Sequence, residues 1–204
     1  MLNIKIFLGT LKKNNRWIIL SSLIFLLSFF SGYIAADQNM EFINELSEPY
    51  FEFLEDMARD IVDKSPGRGI FILFFNNLFA SLRVIFLGVI LGIPPLFGLL
   101  INGSILGIVT ATLAEQNIPP LLFLTLGILP HGILELPAFL ISAAFGLKLG
   151  YHLLFPVEEN NRWESLVLVI KEISNIIFFI IMLLIIAAAI EILITPLLLR
   201  PLSL

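Results

Sequence analysis

The chain has 204 residues, a formal net charge of −4 at pH 7, a hydrophobic share of 58% and a mean hydropathy of +1.00. This composition excludes an ordinary soluble domain and predicts a single integral membrane domain over residues 1–204. With no cysteine and only two histidines, disulfides and thiolate metal sites are excluded as well.

The N-terminal residues 1–16 carry four basic residues and no acidic one, and Phe7 and Leu11 belong to an apolar stripe at helical spacing. This pattern predicts an interfacial helix in a cytoplasmic basic segment. The next twenty residues, 17–36, are uncharged, and as a helix they would measure about 30 Å, enough to cross a bilayer. A cleaved signal peptide usually has a shorter apolar region, so we predict a retained first span.

Residues 37–68 form the main polar segment, with nine acidic residues and one basic residue between positions 37 and 63. Apolar residues recur there at helical spacing, which predicts two amphipathic extracytoplasmic helices on or near the membrane. Three interpretations stay open: a solvated helix face, a docking surface for another protein, or divalent-cation binding without calcium-loop spacing. The clustered acids that would bind a cation are Glu52, Glu55, Asp56, Asp60 and Asp63.

Two further spans are predicted over residues 69–91 and 96–114, and Pro94-Pro95 makes a tight reversal between them. These two spans form the first part of the predicted core, residues 69–155. The last part of this core is a broken helix. A polar connector over 156–171 and a last span over 172–195 complete the chain.

The broken helix lies in residues 120–155, which are too long for one span and too short for two ordinary spans. Pro130, Gly132 and Pro137 interrupt the helical pattern there. We predict a re-entrant half-helix over 120–130 and a full span from about residue 131. The fold class is therefore an all-α membrane bundle of about five transmembrane helices, with a re-entrant half-helix and amphipathic surface helices.

The basic residues predict the orientation of the bundle, because cytoplasmic loops carry the excess of Lys and Arg. The N-terminus and the connector 156–171 are expected to be cytoplasmic, while residues 37–68 and the C-terminus are expected outside. The expected location is the cell membrane, with several passes through it.

His131 and Glu135 are separated by one helical turn, and Glu135 is the only Asp, Glu, Lys or Arg in residues 116–147. Ionisable groups at membrane depth are costly, so they indicate a functional or structurally essential site. Arg83 is the only basic residue between positions 69 and 147 apart from His131, and we expect it to pair with Glu135. The full predicted intramembrane polar cluster is Asn76, Asn77, Arg83, Asn102, His131 and Glu135.

Several interpretations of this cluster remain open. It could bind a proton, an ion or a polar group of a substrate, or it could only hold the helices together through an Arg–Glu pair and hydrogen bonds. General acid–base chemistry is conceivable for His131 and Glu135, but no nucleophile is evident. His131 and Glu135 supply only two ligands for a metal, and no other histidine lies in the apolar core. Glu191, near the end of the last span, is expected to reach the outer surface. No catalytic residue, metal or cofactor is therefore predicted.

Residues 128–138, which read ILPHGILELPA, resemble the signature of the stage II sporulation protein M family of integral membrane proteins. The resemblance extends to Asn76-Asn77, to Asn102-Gly103 with Gly107, and to the Gly146/Gly150 pair. It implies a multi-pass membrane protein. It also implies a function like that of the bacterial sporulation members, which act in a membrane complex that anchors or localises cell-wall-degrading enzymes during engulfment.

The leading functional hypothesis is a non-enzymatic scaffold that recruits partners through residues 37–68 or through the connector. The competing hypothesis is a transporter or permease component with an ion, proton or polar-substrate site at His131 and Glu135. An intramembrane enzyme comes third.

The expected partners are the lipid bilayer and other membrane or extracytoplasmic proteins, and no pattern indicates nucleic-acid binding. Glycines spaced four residues apart allow close helix packing within the chain or formation of a homo-oligomer. These glycine pairs are Gly88/Gly92, Gly103/Gly107 and Gly146/Gly150.

Overall fold

The structure is a computed structural model that describes residues 3–41, 43, 45, 65–115, 119–157 and 160–199. All regular elements in these ranges are helical, which confirms the all-α fold. A 3₁₀ turn (Leu87–Val89) follows the helix Pro66–Phe86, and a π-helical segment (Leu124–Ile128) joins the short helix Pro120–Phe123 to the long helix Leu129–Leu154. The α-helices are α1 (Ile4–Lys13), α2 (Asn15–Gln38), α3 (Pro66–Phe86), α4 (Ile93–Glu115), α5 (Pro120–Phe123), α6 (Leu129–Leu154), α7 (Arg162–Leu193) and α8 (Thr195–Leu199).

Five helical segments of the described chain are long and apolar enough to cross a membrane. They are Asn15–Gln38, Pro66–Val89, Ile93–Glu115, Pro120–Leu154 and Arg162–Leu193. Large apolar side chains such as Leu27 and Phe71 are exposed on the outside of the bundle, as expected where lipid is the neighbour. The predicted acidic helices of residues 37–68 fall mostly on residues 46–64, outside the described residues.

The predicted re-entrant half-helix over 120–130 is not confirmed, because the chain stays helical from residue 120 to residue 154. Pro130 lies in the first turn of α6, where the missing N–H of proline costs no helical hydrogen bond. The irregularity takes the form of the π-helical segment, whose wider turn is frequent at functional sites. Pro137 is accommodated inside α6.

The helix that contains the last span begins before the predicted span, since residues 162–171 of the expected connector are the first turns of α7. A capping box starts this helix: Asn161 Oδ1 accepts from the Glu164 N–H at 2.9 Å, and the Glu164 carboxylate accepts from the Asn161 N–H at 2.9 Å. With 32 residues, α7 is about 48 Å long and extends beyond the hydrocarbon layer.

The core of the bundle is centred on α6, which packs antiparallel to α7. Phe145 and Leu149 of α6 are buried against Ile173 and Ile176 of α7. A second cluster brings together buried side chains from α2, α3, α4 and α6, namely Phe25, Val84, Leu99 and Ala143. Because α6 and α7 run in opposite directions, the start of α6 lies beside the end of α7.

The glycine pairs pack within the chain. A Cβ added at Gly103 or Gly107 on α4 would collide with backbone carbonyls of α2. Likewise, Gly146 on α6 lies against the backbone of Val84 and Gly88. Both contacts bring two helix backbones closer than any larger residue would allow, which supports the intramolecular interpretation of these motifs.

Candidate functional site

Three ionisable side chains meet where the start of α6 lies beside the end of α7. His131 and Glu135 occupy one face of α6, and Glu191 comes from α7. One donor atom from each of the three side chains lies within 4.8 Å of the other two. These three residues are called the His131 cluster, and all three are only partly exposed.

Glu191 lies on the buried face of α7, and this position places it in the His131 cluster. Leu184 and Ala187 on this face are fully buried, and Glu191 follows them by seven and four residues. The expectation that Glu191 reaches the outer surface is therefore wrong. Residue spacing along α7 is the available signal, but residues 176–190 of this helix are all apolar, so no stripe distinguishes its buried face there.

The imidazole of His131 is oriented by Thr195, the first residue of α8. His131 Nδ1 and Thr195 Oγ1 are 3.4 Å apart, and the Thr195 hydroxyl donates to the Ile190 carbonyl over 3.5 Å. A His131 tautomer with its hydrogen on Nδ1 would donate to Thr195 Oγ1. In that tautomer, Nε2 is free to accept a proton or bind a cation.

A cavity of about 430 Å³ adjoins the His131 cluster. Its walls come from α2, α3, α4, the π-helical segment, α6 and α7, with apolar surface from side chains such as Phe25, Leu106 and Phe139. A space of this size with a few converging polar groups is typical of small-ligand sites. The polar residues that line the cavity are Asn76, Asn77, Ser81, Asn102, His131 and Glu135.

The asparagine side chains of the cavity wall and the carboxylates of the His131 cluster differ in their hydrogen-bond partners. Asn102 Nδ2 donates to the Gly98 carbonyl at 2.8 Å, and Asn76 Nδ2 donates to Asn77 Oδ1 at 3.4 Å. In contrast, no described residue donates a hydrogen bond to the carboxylate of Glu135 or of Glu191 or forms an ion pair with it. The His131 cluster thus has two acceptor groups without a protein donor in the described chain.

Arg83 does not join the predicted polar cluster. Its side chain is exposed, it does not line the cavity, and the expected ion pair with Glu135 is not formed. Arg83 lies seven residues, or about 10 Å along the helix axis, beyond Asn76. Asn76 is at the exposed margin of the cavity, and position 83 on the same helix face is exposed beyond it.

A second polar cluster, the Lys148 cluster, lies at the opposite end of the α6–α7 pair and consists of Lys13, Asn14, Lys148 and Glu172. Lys148 on α6 pairs with the carboxylate of Glu172 on α7 and donates to Asn14 Oδ1 at 2.6 Å. Asn14 Nδ2 donates to the same carboxylate at 3.1 Å, and Lys13 Nζ lies 2.7 Å from its other oxygen. This carboxylate is therefore fully partnered, unlike those of Glu135 and Glu191.

Comparison with known proteins identifies related sequences. The model of the family described as stage II sporulation protein M matches residues 21–196. The uncharacterized protein MJ0793 of Methanocaldococcus jannaschii is 31% identical over 183 residues, which are 88% of this chain and 93% of that protein. The uncharacterized protein MJ0706 of the same organism is 30% identical over 138 residues, 66% of this chain and 59% of that protein. No solved structure gives a significant match.

Proposed function

The chain belongs to the stage II sporulation protein M family, and we propose that it is a non-enzymatic transporter or permease component that binds a polar or ionic solute at His131 and Glu135. The observation that carries this proposal is a partly open cavity of about 430 Å³ between helices that are long and apolar enough to cross a membrane, with both residues in its wall. Polar sites near irregular helices are a common feature of membrane transporters.

The state of the two carboxylates supports a binding function. A purely structural cluster would satisfy its own polar groups, as the Lys148 cluster does. Glu135 and Glu191 have no donor among the described residues, although unpaired charge in a membrane is costly. A bound cation, proton or solute donor would remove that cost.

The scaffold function that the sequence favours is the second candidate and stays a prediction. It is supported by the nine acidic residues between positions 37 and 63, which suit the recruitment of other membrane or extracytoplasmic proteins. In this hypothesis the protein is a partner-recruiting component of a membrane complex, alone or as a homo-oligomer, and the cavity has no solute to bind.

We also propose an orientation in the cell membrane. The N-terminus and the connector before α7 would be cytoplasmic, and the end of α7 would lie outside. The basic residues of 1–16 and the basic Lys148 cluster support this orientation, because both would then be on the cytoplasmic side.

The two candidate functions differ in how the cavity is reached from the two sides of the membrane. A transporter exposes its site to each side in turn, whereas a scaffold has no need to do so. The chain has no cysteine, so Asn102→Cys introduces one thiol in the cavity near the middle of α4. The adjacent Ile101→Cys is the matched control, because Ile101 is 52% exposed on the outside of the bundle.

Both variants would be treated with a charged, membrane-impermeant thiol reagent in inside-out and right-side-out vesicles. If the protein is a transporter, the Asn102→Cys thiol should react from both sides of the membrane. The Ile101→Cys thiol, which faces lipid, should react from neither side. Reaction of the Asn102→Cys thiol from one side only, or from neither side, would reject transport and make the scaffold the leading function.

A further inference from the structure

We propose that His131, Glu135 and Glu191 form a binding site for a divalent transition-metal cation, a proposal that rests on the proposed function and names the ligand class of that site. The three side chains supply one imidazole nitrogen and two carboxylate oxygens. Imidazole together with carboxylates is a donor set found in metal sites of the zinc and iron type.

The distances allow coordination after small side-chain rotations. The three donor atoms lie within 4.8 Å of one another. Two ligands that are each about 2.1 Å from a shared zinc ion can be at most about 4.2 Å apart. Rotation of the two Glu side chains about their own bonds is enough to close the difference, since each has three rotatable torsions.

Charge also favours a divalent cation. Two ionised carboxylates bring a formal charge of −2 into the membrane domain, and no basic side chain of the described residues pairs with either of them. The predicted compensating charge, Arg83, lies elsewhere. One divalent cation would neutralise both carboxylates at once, which removes a large desolvation penalty.

The contact between His131 and Thr195 provides an independent observation that points to a metal. Histidines that bind metals usually donate the hydrogen of their other ring nitrogen to an oxygen atom, which sets the tautomer and the ring orientation. Thr195 Oγ1, 3.4 Å from His131 Nδ1, occupies that position. The Thr195 side chain is itself buried, so its position is fixed by packing.

The donor set and the cavity narrow the kind of cation. Calcium and magnesium prefer oxygen ligands alone, and copper(I) prefers sulfur, so zinc, manganese or iron(II) fit one nitrogen and two oxygens better. Three protein ligands leave a coordination position free, and both His131 and Glu135 line the cavity. The cavity offers this position to water and provides an entry path for the ion.

The test uses the purified full-length chain in detergent, stripped of metal by a chelator that is then removed. Zinc binding is measured by competition with a coloured zinc indicator, with magnesium as a comparison cation. We expect one zinc per chain, and weaker binding by at least about tenfold in Glu191→Gln and in His131→Gln. Glu115→Gln is the matched control, because Glu115 is an exposed carboxylate at the end of α4, and it should bind as the unchanged protein does.

A second variant keeps the test decisive if a ligand replacement does not fold. Thr195→Val retains all three ligands and the side-chain volume but removes the hydroxyl beside His131. We expect it to weaken zinc binding while the protein still elutes as a single species. Absence of saturable zinc binding in the unchanged protein, or zinc affinity equal to that of the control in both Glu191→Gln and Thr195→Val, would overturn the proposal.

The failure of this metal site and the failure of the transport function give different results. Zinc binding combined with one-sided thiol reaction at position 102 would retain the metal site and reject transport. Two-sided thiol reaction without zinc binding would retain a transported solute and reject the metal site, and it would leave protonation of the carboxylates as the explanation for their missing partners.

Discussion

Lys148 on α6 and Glu172 on α7 form an ion pair whose side chains are only 10% and 12% exposed. The Glu172 carboxylate also pairs with Lys13, whose side chain is 73% exposed. One buried lysine and one exposed lysine therefore pair with the same carboxylate. Asn14, at the junction of α1 and α2, bonds to both members of the buried pair. The Lys148 cluster therefore ties the N-terminal segment to the α6–α7 pair.

The first prediction compares the two lysines of this cluster. Lys148→Met should lower the melting temperature in detergent strongly, because breaking a buried pair typically costs about 3–5 kcal/mol. Lys13→Met should have little effect, since exposed ion pairs are worth about 0–1 kcal/mol. The double variant Lys148→Met with Glu172→Leu should recover part of the loss. Equal effects of the two lysine replacements would contradict the difference in burial.

The second prediction concerns backbone contact at Gly146. A Cβ at Gly146 would collide with the carbonyl oxygen of Val84, so Gly146→Ala should push α6 away from α3 and destabilise the protein by about 1–3 kcal/mol. Gly9→Ala is the control, because nothing lies within 4 Å of the added methyl group. It should leave the melting temperature unchanged or raise it slightly through helix propensity. A stable Gly146→Ala protein would mean that the two helices are further apart than described.

The third prediction concerns Glu135 in metal-free protein. Glu135→Gln removes one of two neighbouring carboxylates that lack a basic partner among the described residues, so the melting temperature should rise. The sequence alone led to the opposite expectation, because it paired Glu135 with Arg83. A marked fall in the melting temperature would reveal a positive partner for Glu135.

A fourth prediction follows for Arg83 itself. Its side chain is exposed and forms no ion pair with a described residue, so Arg83→Gln should change the free energy of unfolding by no more than about 0.5 kcal/mol. The measurement is again the melting temperature in detergent, with Glu135→Gln and the double variant beside it. A large loss that the double variant restores would re-establish the Arg83–Glu135 pair.

The fifth prediction tests the orientation with single thiols in the cysteine-free chain. Lys12→Cys and Pro156→Cys should react with an impermeant reagent from the cytoplasmic side. Asn39→Cys, at the other end of α2, should react from outside. Labelling of positions 12 and 39 from the same side would show that α2 does not cross the membrane. Labelling of positions 12 and 156 from opposite sides would contradict the four membrane crossings expected between them.

Local sequence was sufficient for the spans and for part of the site. Hydropathy identifies membrane helices because every backbone group in lipid must be satisfied within the helix. The separation of four residues between His131 and Glu135 likewise fixes a shared face of one helix. Asn76, Asn77 and Asn102 were also predicted near this pair, and the structure places them in the wall of the same cavity.

The remaining features depend on helix packing, which local sequence did not reveal. Glu191 lies 56 residues after Glu135, and the fifteen residues that precede it on its helix are all apolar. Arg83 is the only candidate partner charge in this part of the sequence, but local sequence does not determine which way its helix face is turned. The cluster of proline and glycine near the π-helical segment predicts a break, whereas Pro130 begins α6 without interrupting it.

The close glycine contacts join four of the spans into two tightly packed units. Gly103 and Gly107 hold α2 and α4 together, while Gly146 holds α6 against α3. The cavity lies between these units, with Asn102 in the wall from the first and His131 in the wall from the second. A change in access to the cavity would have to move one helix pair relative to the other. Such a movement would bend the tight turn before α4, where Leu91 and Gly92 have positive φ values of 53° and 73°.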